Sequence, residues 1–274
     1  DALGDRMKGY ENISRNYLTR KIPVIIRIDG KAFHTFTRGF EKPFDKLLMQ
    51  SMQNTMKYLC ENIQGCVLGY TQSDEITLVL TDYANIDTDA WFGYNVQKMA
   101  SVAASIATMA FNREFIDCVR YWEKSGENRG LSNLEFYDFQ ERLKTYNQAI
   151  EKGAMFDARC FSIPKEEVIN CLIWRQQDAT RNSILSVAQS VFSHKKMQGI
   201  SCKDLQNKML TEKDINWNDY SIPEKRGTCC IKKLFEIRRE TAGDLTAIIE
   251  RPKWVIDKEI PIFTEDRDYI NKLV

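Results

Sequence analysis

The sequence predicts an α+β fold with a ferredoxin-like core, and three features of the residue pattern lead to this prediction. The run PVIIRID (23–29) is apolar and β-branched, which is typical of a buried central strand. Two short apolar runs, 66–70 and 76–80, flank a polar connector and indicate a β-hairpin. The segment FDARCFSI (156–163) alternates like a further strand. With a helix after the first strand and another after the hairpin, the order β-α-β-β-α-β is the split βαβ arrangement.

The helical and C-terminal segments complete this prediction. Pro43 suits the first turn of a helix, and apolar residues follow it at helical spacing. Residues 91–115 are rich in alanine and serine and indicate a long helix, whereas residues 119–152 are charged and only loosely periodic. We therefore expect a core at 1–164 with a partly helical insertion at about 119–152. A C-terminal extension at 165–274, with a first helix to about 189 and strands near 225–237 and 254–263, packs on that core as one compact unit.

The bulk composition excludes several classes of protein. The chain has 274 residues, of which 43% are hydrophobic and 28% charged, with a net charge of +1, which argues against a disordered chain and against a general polyanion binder. Binding to a nucleic acid would therefore need local basic patches or several subunits. Eight cysteines without a CxxC pair, and only two histidines, argue against a structural zinc site. No apolar run approaches membrane-spanning length, so we expect a cytoplasmic protein without membrane attachment.

Two aspartates are predicted to meet at one edge of the sheet. Asp29 lies at the exit of the first strand and Asp74 at the entry to the third, and these strands are antiparallel neighbours in a ferredoxin-like core. Converging carboxylates favour a cation between them, and Mg²⁺ binds oxygen ligands of this kind together with phosphates. The Gly30 carbonyl could add a ligand, and the loop from Gly30 to His34 could offer backbone N–H groups to a triphosphate. Two such ions could serve a phosphoryl displacement. The alternative is also open, because Asp-Gly often forms a simple turn and Ser-Asp-Glu a solvated loop.

Several long motifs, in the same order along the chain, resemble those of the tRNA-His guanylyltransferase family. They are RIDGKAFHTF (27–36), KPFD (42–45), GYTQSDEITLV (69–79), WFGYNVQKMASVAAS (91–105), FDAR (156–159), WRQQD (174–178) and KRGT (225–228). The resemblance implies a polymerase-type palm that works in the opposite direction and adds nucleotides 3′ to 5′ onto tRNA. ATP activates a 5′-monophosphate end, and the 3′-hydroxyl of an incoming triphosphate, GTP or another nucleotide, then attacks it. Two Mg²⁺ ions as cofactors and a homotetramer are further implications.

The resemblance also assigns roles to individual residues. It implies that Asp29, the Gly30 carbonyl and Asp74 are metal ligands, and it adds Glu75 to the catalytic group. The nucleotide contacts it implies, besides Gly30, are Arg27, Lys31, Ala32, Phe33, His34, Ser73 and Lys98. It suggests a second nucleotide site, for the activating ATP, near Lys42 and Asp45, although helix capping explains that pair equally well.

Basic residues elsewhere are candidate contacts to the RNA backbone. They are Arg159, Arg175, Lys195, Lys196, Lys225 and Arg226. Each has a structural alternative. Arg159 can pair with Asp157 on the same strand face, Arg175 can hold the architecture of the site, and the other side chains can simply be solvated.

Two departures from the family pattern bear on the substrate. Eukaryotic enzymes that add guanosine to tRNA-His follow the WRQ motif with HINNLYN, whereas residues 179–185 here read ATRNSIL. This absence is typical of the guanylyltransferase-like branch, whose implied task is template-dependent repair of 5′-truncated tRNA. Asn95 stands where the family often has an arginine. The alternatives are dedicated guanosine addition to tRNA-His, a nucleotide cyclase on the same scaffold, and a non-catalytic tRNA-binding module.

Overall fold

The computed structural model describes residues 1–127, 132–240 and 246–274, with the side chains of Glu127, 237–240 and 246–249 outside that description. Its helices, in chain order, are α1 (Ala2–Asn12), α2 (Phe33–Phe36), α3 (Lys46–Asn62), α4 (Val96–Glu127), α5 (Asn133–Lys152), α6 (Lys165–Val191), α7 (His194–Met197), α8 (Cys202–Lys213), α9 (Ile222–Arg226) and α10 (Asp268–Asn271). Its strands are β1 (Val24–Gly30), β2 (Cys66–Gln72), β3 (Glu75–Leu80), β4 (Phe156–Ser162), β5 (Thr228–Glu240) and β6 (Thr246–Asp257). Short 3-10 turns occupy Trp91–Tyr94 and Trp217–Asp219.

One antiparallel sheet of six strands organises this mixed α/β fold, in the order β4-β1-β3-β2-β5-β6. The predicted pairing of the first and third strands is confirmed, because Val24 lies opposite Leu80 and Asp29 opposite Glu75. The predicted hairpin is confirmed as well, and its turn is shorter than the expected connector because β2 continues to Gln72. The end of β1 and the start of β3 therefore lie side by side.

Each face of the sheet has its own core. Alternate side chains of a strand point to opposite faces, so Val24, Ile26 and Ile28 pack with α3 and α4, whereas Ile25 packs with α6 and the C-terminal segment. A third core joins the second half of α6 to α8 and Trp217. The helix α6 thus covers the face of β1 on which the odd-numbered residues lie.

The long central helix differs from its prediction at both ends. Left-handed φ angles at Phe92 and Tyr94 separate the 3-10 turn from α4, which begins at Val96. The helix continues beyond 115 because Phe115 and Val119 extend its buried stripe. The predicted insertion therefore consists of the end of α4 and all of α5, with 128–131 outside the described residues.

The C-terminal strands are longer than predicted. The β5–β6 ladder extends to Glu240 opposite Thr246, although only the first three residues of β5 pair with β2. The segment predicted as a strand at 254–263 leaves the ladder at Asp257, and Phe263 packs in the core instead. The predicted helix to about 189 ends at Val191. Within the described ranges, no helix has both the length and the apolar character needed to span a membrane.

Candidate active site

A two-residue turn places Asp74 beside the end of β1. Ser73 and Asp74 connect β2 to β3, and Ser73 takes a left-handed φ of 50°. The Gly30 N–H donates to the Asp74 carbonyl at 3.1 Å, so the β1–β3 ladder continues by one residue pair. In an antiparallel ladder the N–H and C=O of one residue point to the same neighbouring strand. The Gly30 carbonyl therefore also points toward Asp74.

Asp29 lies next to this turn on the α6 face of the sheet. It shares that face with Ile25, since side chains alternate along a strand. Its neighbours across the sheet are Glu75 on β3 and Asp157 on β4. The structure therefore brings Asp29 and Asp74 together, as the sequence predicted. It also places Glu75 and Asp157 beside Asp29, and Asp157 was not among the predicted site residues.

Burial and like charges raise the pKa values of the two predicted metal ligands. Burial is the largest cause for Asp29, and the charge of Asp157 adds to it, while Arg159 and other arginines act in the opposite direction. Burial also raises the pKa of Asp74, the hydrogen bond from Ser73 Oγ at 3.0 Å opposes this rise, and the charge of Asp29 adds to it. A cation bound between the two carboxylates would relieve this destabilisation.

Glu75 belongs to a buried ion pair. Its carboxylate accepts a hydrogen bond of 2.9 Å from Arg175 Nη1, and the two side chains are 11% and 7% exposed. Burial raises the pKa of Glu75, and the charge of Arg175 opposes that rise. Arg175 also lies 3.6 Å from Asp178. Of the two roles considered for Arg175, the structure shows the architectural one, because its guanidinium is not at the surface.

An open cleft of about 650 Å³ lies beside Asp74, and we call it the nucleotide cleft. Its lining includes six predicted nucleotide contacts, namely Gly30, Ala32, Phe33, His34, Lys42 and Ser73. Arg38 lines it as well and was not predicted. A Cβ atom on Gly30 would lie 2.2 Å from Phe33 Cδ2, so only glycine fits there. The Phe33 ring is buried and contacts the rings of Phe111 and Phe156 at 5.5 and 5.2 Å between centroids.

The loop has fewer free backbone donors than predicted. The Gly30 N–H is bound to the Asp74 carbonyl, and the Lys31 N–H donates to the Met155 carbonyl at 2.8 Å. The prediction that the whole loop offers its N–H groups to a triphosphate is therefore wrong for these two residues, because the sheet uses them. The next N–H groups, up to His34, lie in the first turn of α2, where a helix leaves its donors without intrahelical partners.

Asp45 caps α3. Its Oδ1 accepts from the Leu48 N–H at 2.9 Å, and its Oδ2 accepts from the Glu41 N–H at 3.1 Å and from the Tyr146 hydroxyl at 2.7 Å. With 4% exposure it has little surface for a ligand. The structure thus shows the capping alternative for Asp45, and α3 begins at Lys46 rather than at Pro43.

Lys98 lies far from Asp74. The strand β3 leads the chain away from the turn, so α4 begins at the opposite end of the sheet. The helix contacts Phe33 through Phe111, which lies further along α4. A helix rises about 1.5 Å per residue, so Lys98 is roughly 20 Å from Phe111 along the axis. The prediction that the first half of this helix faces the carboxylates is wrong. The Lys98 ammonium lies 4.6 Å from the centroid of the exposed Phe92 ring instead.

The other predicted basic contacts are spread over the surface. Arg159 Nη2 donates to Asp157 Oδ1 at 3.3 Å, and both side chains are exposed beside Asp29. Lys195 and Lys196 are exposed on α7. Lys225 Nζ donates to the Asn218 carbonyl at 2.7 Å, which leaves it partly engaged. Arg226 lines a smaller cavity of about 140 Å³, which also reaches Ser73 and Asp45.

One aromatic residue near the carboxylates, Trp174, was missed by the sequence reasoning. The indole of Trp174 is 49% exposed, and the guanidinium of Arg175 lies 3.5 Å from its centroid. The guanidinium of Arg27, a predicted nucleotide contact, lies 5.4 Å from the same centroid. No periodic signal distinguishes Trp174 from a core residue, because α6 is apolar on the neighbouring positions Leu172 and Ile173.

The oxygen donors fit a hard divalent cation that binds together with phosphate. Asp29, Asp74 and the Gly30 carbonyl are the ligand types that Mg²⁺ prefers, and this ion often binds through one or two carboxylates plus substrate phosphates. Across 1–127, 132–240 and 246–274, no cluster of three or more His, Cys, Asp or Glu side chains is arranged to hold a metal ion. Water and phosphate would therefore have to complete the coordination.

A carboxylate pair beside an open cleft, where two neighbouring antiparallel strands end, is the arrangement expected of the class of metal-dependent nucleotide-transferring enzymes. Comparison with known proteins agrees with this class. The family model described as Thg1, tRNAHis guanylyltransferase, matches residues 4–164. A solved bacterial tRNA(His) guanylyltransferase (Thg1)-like protein in complex with ATP is 41% identical, with a TM-score of 0.78 over 99% of this chain and 98% of that chain.

Two further relatives extend the comparison. A bacterial Thg1-like protein in complex with GTP is 38% identical, with a TM-score of 0.75 over 100% of this chain and 99% of that chain. The tRNA(His) guanylyltransferase of Debaryomyces hansenii is 25% identical over 82% of this chain and 78% of its own length. The chain belongs to the tRNA-His guanylyltransferase family, and it is therefore a nucleotidyltransferase of tRNA.

Proposed function

We propose that this protein is a metal-dependent 3′-5′ nucleotidyltransferase that repairs 5′-truncated tRNA by adding nucleotides against the 3′ strand as template. The observation that carries the proposal is the pairing of β1 with β3, which places Asp29 and Asp74 at one sheet edge beside the nucleotide cleft. Relatives with 41% and 38% identity have structures with ATP and with GTP, the two kinds of substrate that such a reaction requires.

The strand order supports a palm-like catalytic core. The first four strands have the order β4-β1-β3-β2, and α3 and α4 both pack on the face opposite Asp29. This order is the one expected of a ferredoxin-like unit, and it supports a core in which one face carries the helices and the other is available for catalysis. In this proposal the C-terminal extension, through α6, covers part of the catalytic face and leaves the edge at Asp29 and Asp74 open.

Each residue of the site has a role in this proposal. Asp29, Asp74 and the Gly30 carbonyl would hold Mg²⁺, which when bound would neutralise phosphate charge and polarise the reacting oxygens. Lys42 and Arg38 line the cleft as exposed cations and attract the triphosphate. Gly30 and the buried Phe33 ring fix the loop, so that the attacking and leaving groups are held in one geometry.

The test is incubation of the protein with a 5′-truncated tRNA, Mg²⁺ and all four nucleoside triphosphates, followed by sequencing of the 5′ ends. We expect template-directed restoration of the missing nucleotides. Asp29→Asn and Asp74→Asn should each lower the rate by roughly 10²–10³-fold, whereas Asp87→Asn, an exposed acid in the loop before α4, should not. Absence of Mg²⁺-dependent addition to any tRNA by the unsubstituted protein would favour a non-catalytic tRNA-binding module.

Dedicated addition of guanosine to tRNA-His is the second candidate. The relative from Debaryomyces hansenii that carries this name is 25% identical over most of both chains. Full-length tRNA-His and a truncated tRNA should therefore be compared under the same conditions. Faster addition to tRNA-His, with guanosine incorporated whatever the opposite base, would establish the second candidate. A control with labelled triphosphate and no RNA would reveal the cyclic product that a nucleotide cyclase makes.

A further inference from the structure

One exposed aromatic side chain lies on the catalytic face and has no role in the proposed chemistry. Trp174 projects from α6 with 49% of its surface exposed, although its helix neighbours Leu172 and Arg175 are buried. Large aromatic side chains bury much of their area in folded proteins. A half-exposed indole beside charged groups is therefore available for stacking with a planar group of a ligand.

The indole is fixed by a chain of contacts that starts at the active site. Glu75 binds Arg175 at 2.9 Å, and Asp178 lies 3.6 Å from the same Nη1 atom. The guanidinium of Arg175 lies 3.5 Å from the centroid of Trp174, a distance typical of a stacked pair. Because Arg175 is buried and anchored at both carboxylates, the indole that it supports has a defined orientation before any ligand binds.

The surroundings of the indole favour a polyanion. Arg27 approaches the ring at 5.4 Å, and its buried Nε has no hydrogen-bond partner among the described residues. Arg159 lies directly opposite Arg27 on β4 and is exposed. Arg27 and Arg159 lie side by side two residue positions away from Asp29 and Asp157 along the strands, which corresponds to about 7 Å. The nucleotide cleft lies on the other side of Asp29, beyond Gly30.

We propose that Trp174, supported by Arg175, is the stacking surface for the 5′-terminal base of the RNA substrate. Arg27 and Arg159 contact the phosphates of the same RNA end. This inference rests on the proposed function, because it assigns the RNA end to one side of Asp29 and the triphosphate to the other. Proteins recognise nucleic-acid ends in this way, with bases on aromatic rings and phosphates on nearby cations. Trp174 is thus a positioning residue for the 5′ end rather than a catalytic one.

The test compares the affinities of protein variants for two RNA duplexes in the absence of nucleotide. Both duplexes are acceptor stems made of two strands, and they differ only in having an intact or an abasic 5′-terminal residue. Trp174→Ala should weaken binding of the intact duplex about tenfold and that of the abasic duplex less than about twofold. Trp174→Phe keeps a stacking face and should stay close to the unsubstituted protein. Tyr121→Ala, which removes an aromatic side chain that is 77% exposed elsewhere, is the matched control.

A fluorescent base gives a second readout. With 2-aminopurine at the 5′ terminus, emission should be quenched by the unsubstituted protein and by Trp174→Phe, and not by Trp174→Ala. Equal losses for the intact and the abasic duplex, a higher KM for the incoming nucleotide without a change in RNA affinity, or a change of oligomeric state alone would each overturn the inference. If the unsubstituted protein binds RNA in this experiment but adds no nucleotide in the separate incubation with truncated tRNA, Mg²⁺ and triphosphates, the proposed function fails and the stacking surface stands.

Discussion

At the scale of single residues, the two aspartates determine how the site responds to pH. Burial raises the pKa of Asp74 above the ordinary value of 3.8, so the folded protein binds this proton more tightly than the unfolded chain. The contribution of Asp74 to stability is therefore greatest at acidic pH and is lost as the pH rises from about 4 through the raised pKa. At neutral pH without metal, the carboxylate destabilises the fold.

The first prediction follows from this dependence of stability on pH. Asp74→Asn should raise the melting temperature of the protein in EDTA at pH 7, and the two proteins should converge as the pH falls toward 4. Mg²⁺ should raise the melting temperature of the unsubstituted protein and leave that of the variant unchanged. Thermal unfolding at several pH values, with EDTA and with Mg²⁺, measures both effects. A variant that melts lower than the unsubstituted protein at pH 7 in EDTA would contradict this account.

Gly30 gives the second prediction. A Cβ there would lie 2.2 Å from the Phe33 ring, which is packed among other aromatic rings and cannot move freely. Gly30→Ala should cost about 1–3 kcal/mol of unfolding free energy and weaken ATP binding. The control is Gly9→Ala in α1, where nothing lies within 4 Å of the added atom. Urea unfolding and calorimetric ATP titration provide the measurements, and equal stability of both variants would refute the steric explanation.

At the scale of secondary-structure elements, the Asp45 cap joins α3 to α5. Its carboxylate accepts from the Leu48 N–H at the start of α3 and from the hydroxyl of Tyr146 on α5. Asp45→Ala should cost about 2–4 kcal/mol, since it removes a helix cap and leaves buried donors without an acceptor. Tyr146→Phe, which removes one of those bonds, should cost about 1 kcal/mol. Urea unfolding gives both values. An increase in the KM for ATP at unchanged stability would instead support a nucleotide contact for Asp45.

The sequence predicts elements better than their ends and directions. The apolar run of β1 and the hairpin signals indicated a ferredoxin-like order, and the antiparallel pairing of the first and third strands in that order places Asp29 beside Asp74. The position of Lys98 could not be obtained in this way. It depends on which end of the sheet α4 starts from, and the spacing of apolar residues along a helix carries no information on that point.

Contacts between distant elements were also beyond the sequence. Arg175 lies 100 residues after Glu75, and no local pattern in α6 indicates that its guanidinium is buried against β3. The same limit applies to Asp157, whose position opposite Asp29 depends on the register of β4 against β1. In both cases the relevant interaction is set by tertiary packing, which a single sequence does not encode in its spacing.

At the scale of the whole molecule, the charge balance limits what one chain can do with RNA. The net charge is +1, and the basic residues proposed to contact RNA lie on different elements. A tRNA is a long polyanion that is recognised by shape and backbone. Several copies arranged by symmetry can combine patches that are too small individually.

The fourth prediction is the tetramer that the family resemblance implies, which would meet this need for several copies. Sedimentation or light scattering should give four times the chain mass of 31.9 kDa at micromolar concentration. The affinity for tRNA should fall with salt, and Arg159→Ala should reduce the slope of log K against log salt by about one unit. A stable monomer that binds tRNA as tightly as the assembled protein would show that association is not needed.

The aromatic cluster below Gly30 has a thermodynamic consequence for ligand binding. Phe33, Phe36 and Phe111 are each at most 5% exposed, and they support the cleft from inside the core. The loop after Gly30 packs on these buried rings, so it loses its conformational freedom when the chain folds and not when a ligand binds. Binding of a triphosphate to the free enzyme should therefore show a small heat-capacity change and a low entropic penalty, because the site is already ordered before the ligand binds.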